Sequence, residues 1–116
     1  MIRMSIALTR LPHLSRSQFL CHWRDVHAPL VLSAASVLRI RKYVQVHGVL
    51  EAPDAGSCDG VAEVWYDSLE AATVRHNDPA AVAAVRILRE DEGKFINRKK
   101  SVVWLGQEHA IFAARP

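Results

Sequence analysis

A chain of 116 residues, half of them hydrophobic, holds enough apolar surface for one packed domain and is short for two. The formal charge of +3 is scattered apart from Arg39, Arg41, Lys42 and the run Arg98-Lys99-Lys100; with no stacking aromatics interleaved and no groove-reading motif, nucleic acid is not expected as a partner. No apolar run approaches the ~20 residues of a membrane span, no leader pattern opens the chain, and two cysteines without a framework fit a reducing cytoplasm.

Residues 2–9 alternate, with Met4, Ile6 and Leu8 on one face, and read as a first strand. A loop through Pro12 leads to residues 14–30, which carry two helix-start devices. Ser15 and Gln18 have capping-box spacing, and Leu14 and Phe19 form a hydrophobic staple. Phe19, Leu20, Trp23, Val26 and His27 then share one apolar stripe, leaving His22 on the flank. His22 and His27 are five apart, about 140° around an α-helix, so they are not expected on one face. Ala28-Pro29 should end or kink this helix, with a short second helical piece over residues 29–36.

Residues 38–49 read as a second strand, in which Tyr43, Gln45 and His47 share one face. Residues 50–59 form a polar loop with Pro and Gly. Residues 61–67 are the third strand, with Val61, Glu63 and Trp65 on one face and Ala62, Val64 and Tyr66 on the other. Glu63 among apolar neighbours is either on a wet face or buried with a partner such as Arg3 or Arg41. Ser68 caps a helix to about residue 75; Asp78 and Pro79 start another through residue 90. Residues 91–97 bring Phe95 and Ile96 to the core. Residues 101–105 are the fourth strand, which residues 107–112, with Glu108 and His109, extend.

The order strand, helix, strand, strand, helix, strand is the split βαβ pattern. The expected fold is α+β and ferredoxin-like: one domain over residues 1–116, a four-stranded antiparallel sheet with its helices on one face. The uncovered face is expected to carry Val61, Glu63 and Trp65 beside Tyr43, Gln45 and His47. Such a patch calls for association, and a two-fold homodimer with sheets face to face would turn it into a lined interior.

Five segments together carry a resemblance: Phe19-x-x-x-Trp23-x-x-x-His27-Ala28-Pro29-Leu30; Tyr43-Val44-Gln45-x-His47; residues 59–68, Asp-Gly-Val-Ala-Glu-Val-Trp-Tyr-Asp-Ser; Asp91-Glu92-x-x-Phe95-Ile96; and Glu108-His109. Along nearly its whole length the sequence resembles the EthD family of dimeric α/β-barrel proteins. The resemblance implies the barrel dimer. It also implies a range of chemistries, because similar proteins act in polyketide tailoring as cyclases, dehydratases or decarboxylases, neighbouring barrel families include a lactone isomerase and cofactor-free monooxygenases, and others in the fold bind haem.

The residues themselves suit proton transfer. An imidazole titrates near neutral pH. With His27, His47 and Glu63 in one cleft, the carboxylate orients one imidazole and the other takes a proton from carbon next to a carbonyl. Tyr43 or Gln45 holds the enolate oxygen, Trp23 and Trp65 wall the pocket, and His109 lies near its substrate. This describes a lyase or isomerase acting on a small, flat, oxygenated molecule without a cofactor. The alternatives are a non-catalytic ligand carrier, an accessory protein to an oxygenase, or a cofactor-free monooxygenase. No metal is expected, since no His pair has helical ligand spacing and the cysteines are far apart. Haem stays open through one inward His. Phosphate-loop and dinucleotide fingerprints are absent.

Overall fold

Alternation puts Ile2, Met4, Ile6 and Leu8 on one face of the first strand, and the helices sit on that face. The computed structural model describes residues 1–49 and 58–116. Their order is β1 (Ile2–Leu8), α1 (Arg16–His22), a π-helical turn (Trp23–His27), α2 (Ala28–Ala34), β2 (Lys42–His47), β3 (Gly60–Tyr66), α3 (Leu69–Thr73) with a 3-10 turn (Val74–His76), α4 (Pro79–Glu92) and β4 (Val102–Gln107). The strands form one antiparallel sheet in the order β2-β3-β1-β4, the ferredoxin-like arrangement. Among the described residues no helix is long and apolar enough to cross a membrane. The loop expected over residues 50–59 falls mostly outside the described residues.

The start signals act as their chemistry requires. Ser15 Oγ accepts the Gln18 amide N–H at 3.1 Å, and Gln18 Oε1 accepts the Ser15 amide N–H at 2.8 Å. Ser68 and Asp78 cap the two later helices through the amides of Ala71 and Ala81. Helix α3 is shorter than expected and tightens into its 3-10 turn. Strand β2 starts later, because residues 35–39 close α2 first. Arg39 takes φ +58°, and the Ile40 N–H reaches back to the Ala35 carbonyl at 2.9 Å. Strand β4 extends to Gln107, and residues 108–116 carry no regular structure, so the longer extension is not formed.

The short second helical piece expected after Pro29 is present as α2, but its junction differs from the expectation. The helix does not break there; α2 continues directly from a π turn in which the Ala28 N–H bonds the Trp23 carbonyl, five residues back. In an ordinary α-helix the proline ring would collide with the carbonyl four residues earlier. The wider turn makes room for it. The same widening changes which side chains point inward. Val26, expected in the core, is exposed, whereas His22 is half-buried and shares a patch with buried His27.

Register fixes the faces. Gln45 pairs with Ala62 and Tyr43 with Val64, while Val44 pairs with Glu63 and Val46 with Val61. Tyr43, Gln45 and His47 therefore face the helices, and Val61, Glu63 and Trp65 face the uncovered side. The expectation that all six share the uncovered face is corrected here. Parity within each strand was right; the relative side was wrong because residues 50–59 hide how the two strands are matched.

Gly60 lies opposite His47, under the indole of Trp23. A Cβ built there would sit 2.5 Å from Trp23 Cζ3 and 3.1 Å from the Val46 carbonyl oxygen. Neither neighbour can yield cheaply, since Trp23 is fully buried. Gly60→Ala is expected to cost about 1–3 kcal/mol by overpacking, read as a lower urea midpoint with an unchanged m-value.

Candidate functional site

The π turn leaves the Trp23 carbonyl facing the end of β2. Gln45 Nε2 donates to it at 2.9 Å and to the Tyr43 hydroxyl oxygen at 2.8 Å. With both amide protons directed there, Gln45 Oε1 accepts from His47 Nε2–H at 2.8 Å. That fixes the His47 tautomer and leaves its Nδ1 as an acceptor. The His47 ring stacks on Trp23 at 4.7 Å between centroids, with 12° between planes. Tyr43, Gln45 and His47, which share parity in β2, are thus one connected group with Trp23.

Burial, and secondarily the charge of Arg24, holds the His47 imidazole below its ordinary value of 6.5. The folded chain then binds fewer protons at His47 than the unfolded chain does just below pH 6.5. Its contribution to stability is complete above that value and is lost as pH falls through the lowered one. In His47→Phe, which keeps the stack on Trp23, the loss of stability on acidification from about pH 7 to pH 5 should be shallower. Urea midpoints at matched pH values measure the difference. The Tyr43 phenol is pushed above its usual range by burial, with the Glu92 charge adding and hydrogen bonds from Gln45 and Trp23 opposing. At neutral pH it remains a protonated donor.

The second group forms between the π turn and the end of α4. Asp91 is buried, and its carboxylate takes both imidazoles. His27 Nδ1 lies 2.8 Å from Asp91 Oδ2, and His22 Nε2 lies 3.0 and 3.2 Å from the two oxygens. A carboxylate only accepts, so each of these ring nitrogens carries its proton. In the neutral ring His27 Nε2 carries the lone pair, 3.9 Å from Glu92 Oε2. Phe95 packs on both rings, at 4.7 Å from His22 and 5.1 Å from His27 between centroids. Glu92 joins the two groups, since its charge also acts on Tyr43.

Asp91 and His22 were not expected as site residues. Residues five apart lie about 140° from one another around an α-helix, but the π turn brings His22 and His27 to one side. Asp91 had a sequence signal of its own. Asp91-Glu92 places two acids at a helix C-terminus, where the dipole disfavours them. Acids kept there need donors from elsewhere in the fold, and the imidazoles supply them.

The structure does not bring Glu63, Trp65 or His109 to this site. Glu63 lies on the uncovered sheet face, opposite in sense to His47, with its carboxylate 3.8 Å from Arg3. Glu63 thus combines the two readings, on the uncovered face but partly buried beside Arg3. Trp65 is only 8% exposed on that same face, roofed by Lys42 at 4.7 Å and Arg3 at 5.6 Å. Its indole N–H donates to Glu108 at 3.1 Å, and Arg3 also binds Glu108. His109 is exposed beyond the end of β4. The exposed indole is instead Trp104, 64% accessible. Cys21 and Cys58 are both free thiols.

A family model described as EthD domain matches residues 11–99. No curated protein sequence matches the chain. Among solved structures, an ethyl tert-butyl ether d (ethd) family protein from Bacillus halodurans c-125 is similar with a TM-score of 0.66, at 22% identity over 94% of this chain and 100% of that one. An ethd-like protein from Ralstonia eutropha JMP134 is similar with a TM-score of 0.62, at 13% identity over 97% and 94%. A dimeric protein of unknown function and ferredoxin-like fold from Bacteroides fragilis NCTC 9343 follows with a TM-score of 0.61, at 11% identity over 92% and 95%. At these identities the structures speak for the fold.

Proposed function

The chain belongs to the EthD domain family, and on that premise we propose a cofactor-independent acid/base enzyme. Its substrate is a small aromatic or polyketide-like molecule, and its reaction a cyclisation, dehydration or isomerisation. One observation carries this reading. His27 is 5% exposed, is anchored through Nδ1 by Asp91, and keeps Nε2 as an acceptor beside Glu92. An imidazole fixed in one tautomer by a buried carboxylate is the arrangement a general base needs.

In the proposed reaction His27 Nε2 takes a proton from the carbon next to a substrate carbonyl. Asp91 and Glu92 stabilise the imidazolium that forms. The enolate oxygen accepts from the Tyr43 hydroxyl, a donor that Gln45 holds in place. The proton then returns to a different carbon, or leaves with a hydroxyl group as water. His47, the last residue of β2, is a second imidazole, linked to Tyr43 through Gln45. The expected trio His27, His47 and Glu63 is thereby replaced by His27 with Asp91 and His22. The free thiols suit the cytoplasm as the place of action.

The proposal includes a homodimer. Val46, Val102 and Trp104 lie exposed on the uncovered sheet face, an apolar surface that a second copy would cover. Solution scattering should report a dimer, and Trp104→Glu a monomer.

A non-catalytic carrier is the second reading, favoured by the close packing of Phe95 on both imidazoles. The test is a panel of aromatic polyketones and phenolic lactones, followed by mass spectrometry. Turnover lost in a folded His27→Ala protein supports the enzyme. Binding without product in the unmodified protein supports the carrier.

A further inference from the structure

Two groups of arginines differ in what they face. Arg3, Arg10, Arg24 and Arg41 each face a carboxylate. Arg86, Arg89 and Arg98 have no carboxylate partner among the described residues, and all three are exposed around one groove. This groove, of about 540 Å³, runs along the outer side of α4. Val82, Val85, Arg86, Arg89 and Gly93 line it, at the spacing of a single helix face. Arg98, from the segment after α4, forms the opposite wall and donates to the Arg89 carbonyl. Glu90 is the one acid in the lining.

We propose that this groove docks an acidic amphipathic helix of a partner protein. The valines offer an apolar floor, and Val82 is exposed on it. The guanidinium groups offer forked donors that match carboxylates. From Val82 to Gly93 the groove follows α4 for about 16 Å at 1.5 Å per residue, roughly three turns of a partner helix. Lys99 and Lys100 follow Arg98, exposed, and extend the positive field. A small anion would want a closed site with a buried polar anchor, and this groove is open along its length. Nucleic acid would want aromatic stacking platforms, and the lining holds none. The contact is small, so binding should be weak, transient and sensitive to salt.

The test is fluorescence polarisation with three labelled probes on the full chain. They are an 18-residue helical peptide with leucines on one face and glutamates on the other, a polyglutamate of equal length, and a single-stranded DNA 18-mer. The helical peptide should bind with a dissociation constant of tens of micromolar at low salt. Arg86→Glu/Arg89→Glu should weaken it at least tenfold, and so should Val82→Asp. Arg115→Glu, a charge change in the C-terminal segment, should not. Circular dichroism confirms that each variant is folded. No saturable binding, or equal binding to the charge-reversed protein, overturns the proposal. Equal affinity for polyglutamate overturns the apolar floor. Preference for DNA that Arg86→Glu/Arg89→Glu abolishes would make the groove a nucleic-acid surface instead.

Discussion

Asp91→Asn should lower kcat by two to four orders of magnitude while the chain still folds, a range of about 10² to 10⁴ set by general-base catalysis and by the loss of an orienting carboxylate. The volume of the side chain hardly changes. What changes is that one of the two acceptor oxygens becomes an NH₂ group. In the native arrangement both imidazoles donate to Asp91, His27 through Nδ1 at 2.8 Å and His22 through Nε2 at 3.0 Å. An asparagine keeps one acceptor oxygen, and its NH₂ group must meet the N–H of one of the two rings, a donor against a donor. If its NH₂ group faces His27, the ring must move its proton to Nε2, and the lone pair that takes the substrate proton is gone. Nitrogen-15 NMR of the imidazoles reads this without a substrate: the Nδ1–H signature of His27 should convert to Nε2–H. A stabiliser of His22 alone would leave that signature in place, and the catalytic role assigned to Asp91 would fall with it.

The architecture was legible because its signals are local and redundant. Ser15 with Gln18, Ser68, and Asp78 with Pro79 each fix a helix start by hydrogen bonds within four residues. Alternation fixes which residues of a strand share a face. Tyr43, Gln45 and His47 do share one face of β2, as alternation requires, and that face meets Trp23. The rest depends on facts no local pattern carries. Which side of the sheet Tyr43, Gln45 and His47 face is set by the pairing of β2 with β3, and a one-residue shift reverses it. Whether His22 joins His27 depends on the hydrogen bonding of a single turn. Pro29 marked that turn as unusual, but a break and a π turn satisfy the same steric conflict. Asp91 meets its partners across 64 and 69 residues of chain. Its position at the wrong end of a helix dipole, and its place in the segment Asp91-Glu92-x-x-Phe95-Ile96, were the traces it left in the sequence.

Phe95→Ala should destabilise the fold by about 3–5 kcal/mol, the range for a fully buried phenylalanine. Phe95 is 0% exposed, and its ring meets Phe19 at 5.6 Å as well as both imidazoles. Its backbone is fixed independently: the Phe95 carbonyl accepts the Leu11 N–H at 3.0 Å, and its own N–H reaches the Glu92 carbonyl at 3.2 Å. The chain around position 95 therefore cannot collapse freely into the space left by the ring, which puts the cost near the upper end. Against a net stability of about 5–15 kcal/mol for a domain of this size, the loss is a large fraction. Thermal and urea unfolding at one fixed protein concentration measure it, since association would make the midpoint depend on concentration. Phe95→Leu should recover much of the loss by refilling the volume. The same pair of variants separates packing from chemistry. If His27 and His22 are held chiefly by Asp91, Phe95→Leu keeps their tautomers and their proton transfer while giving up some stability. If the ring holds them, both properties fail together, and the carrier reading gains the ground that the enzyme loses.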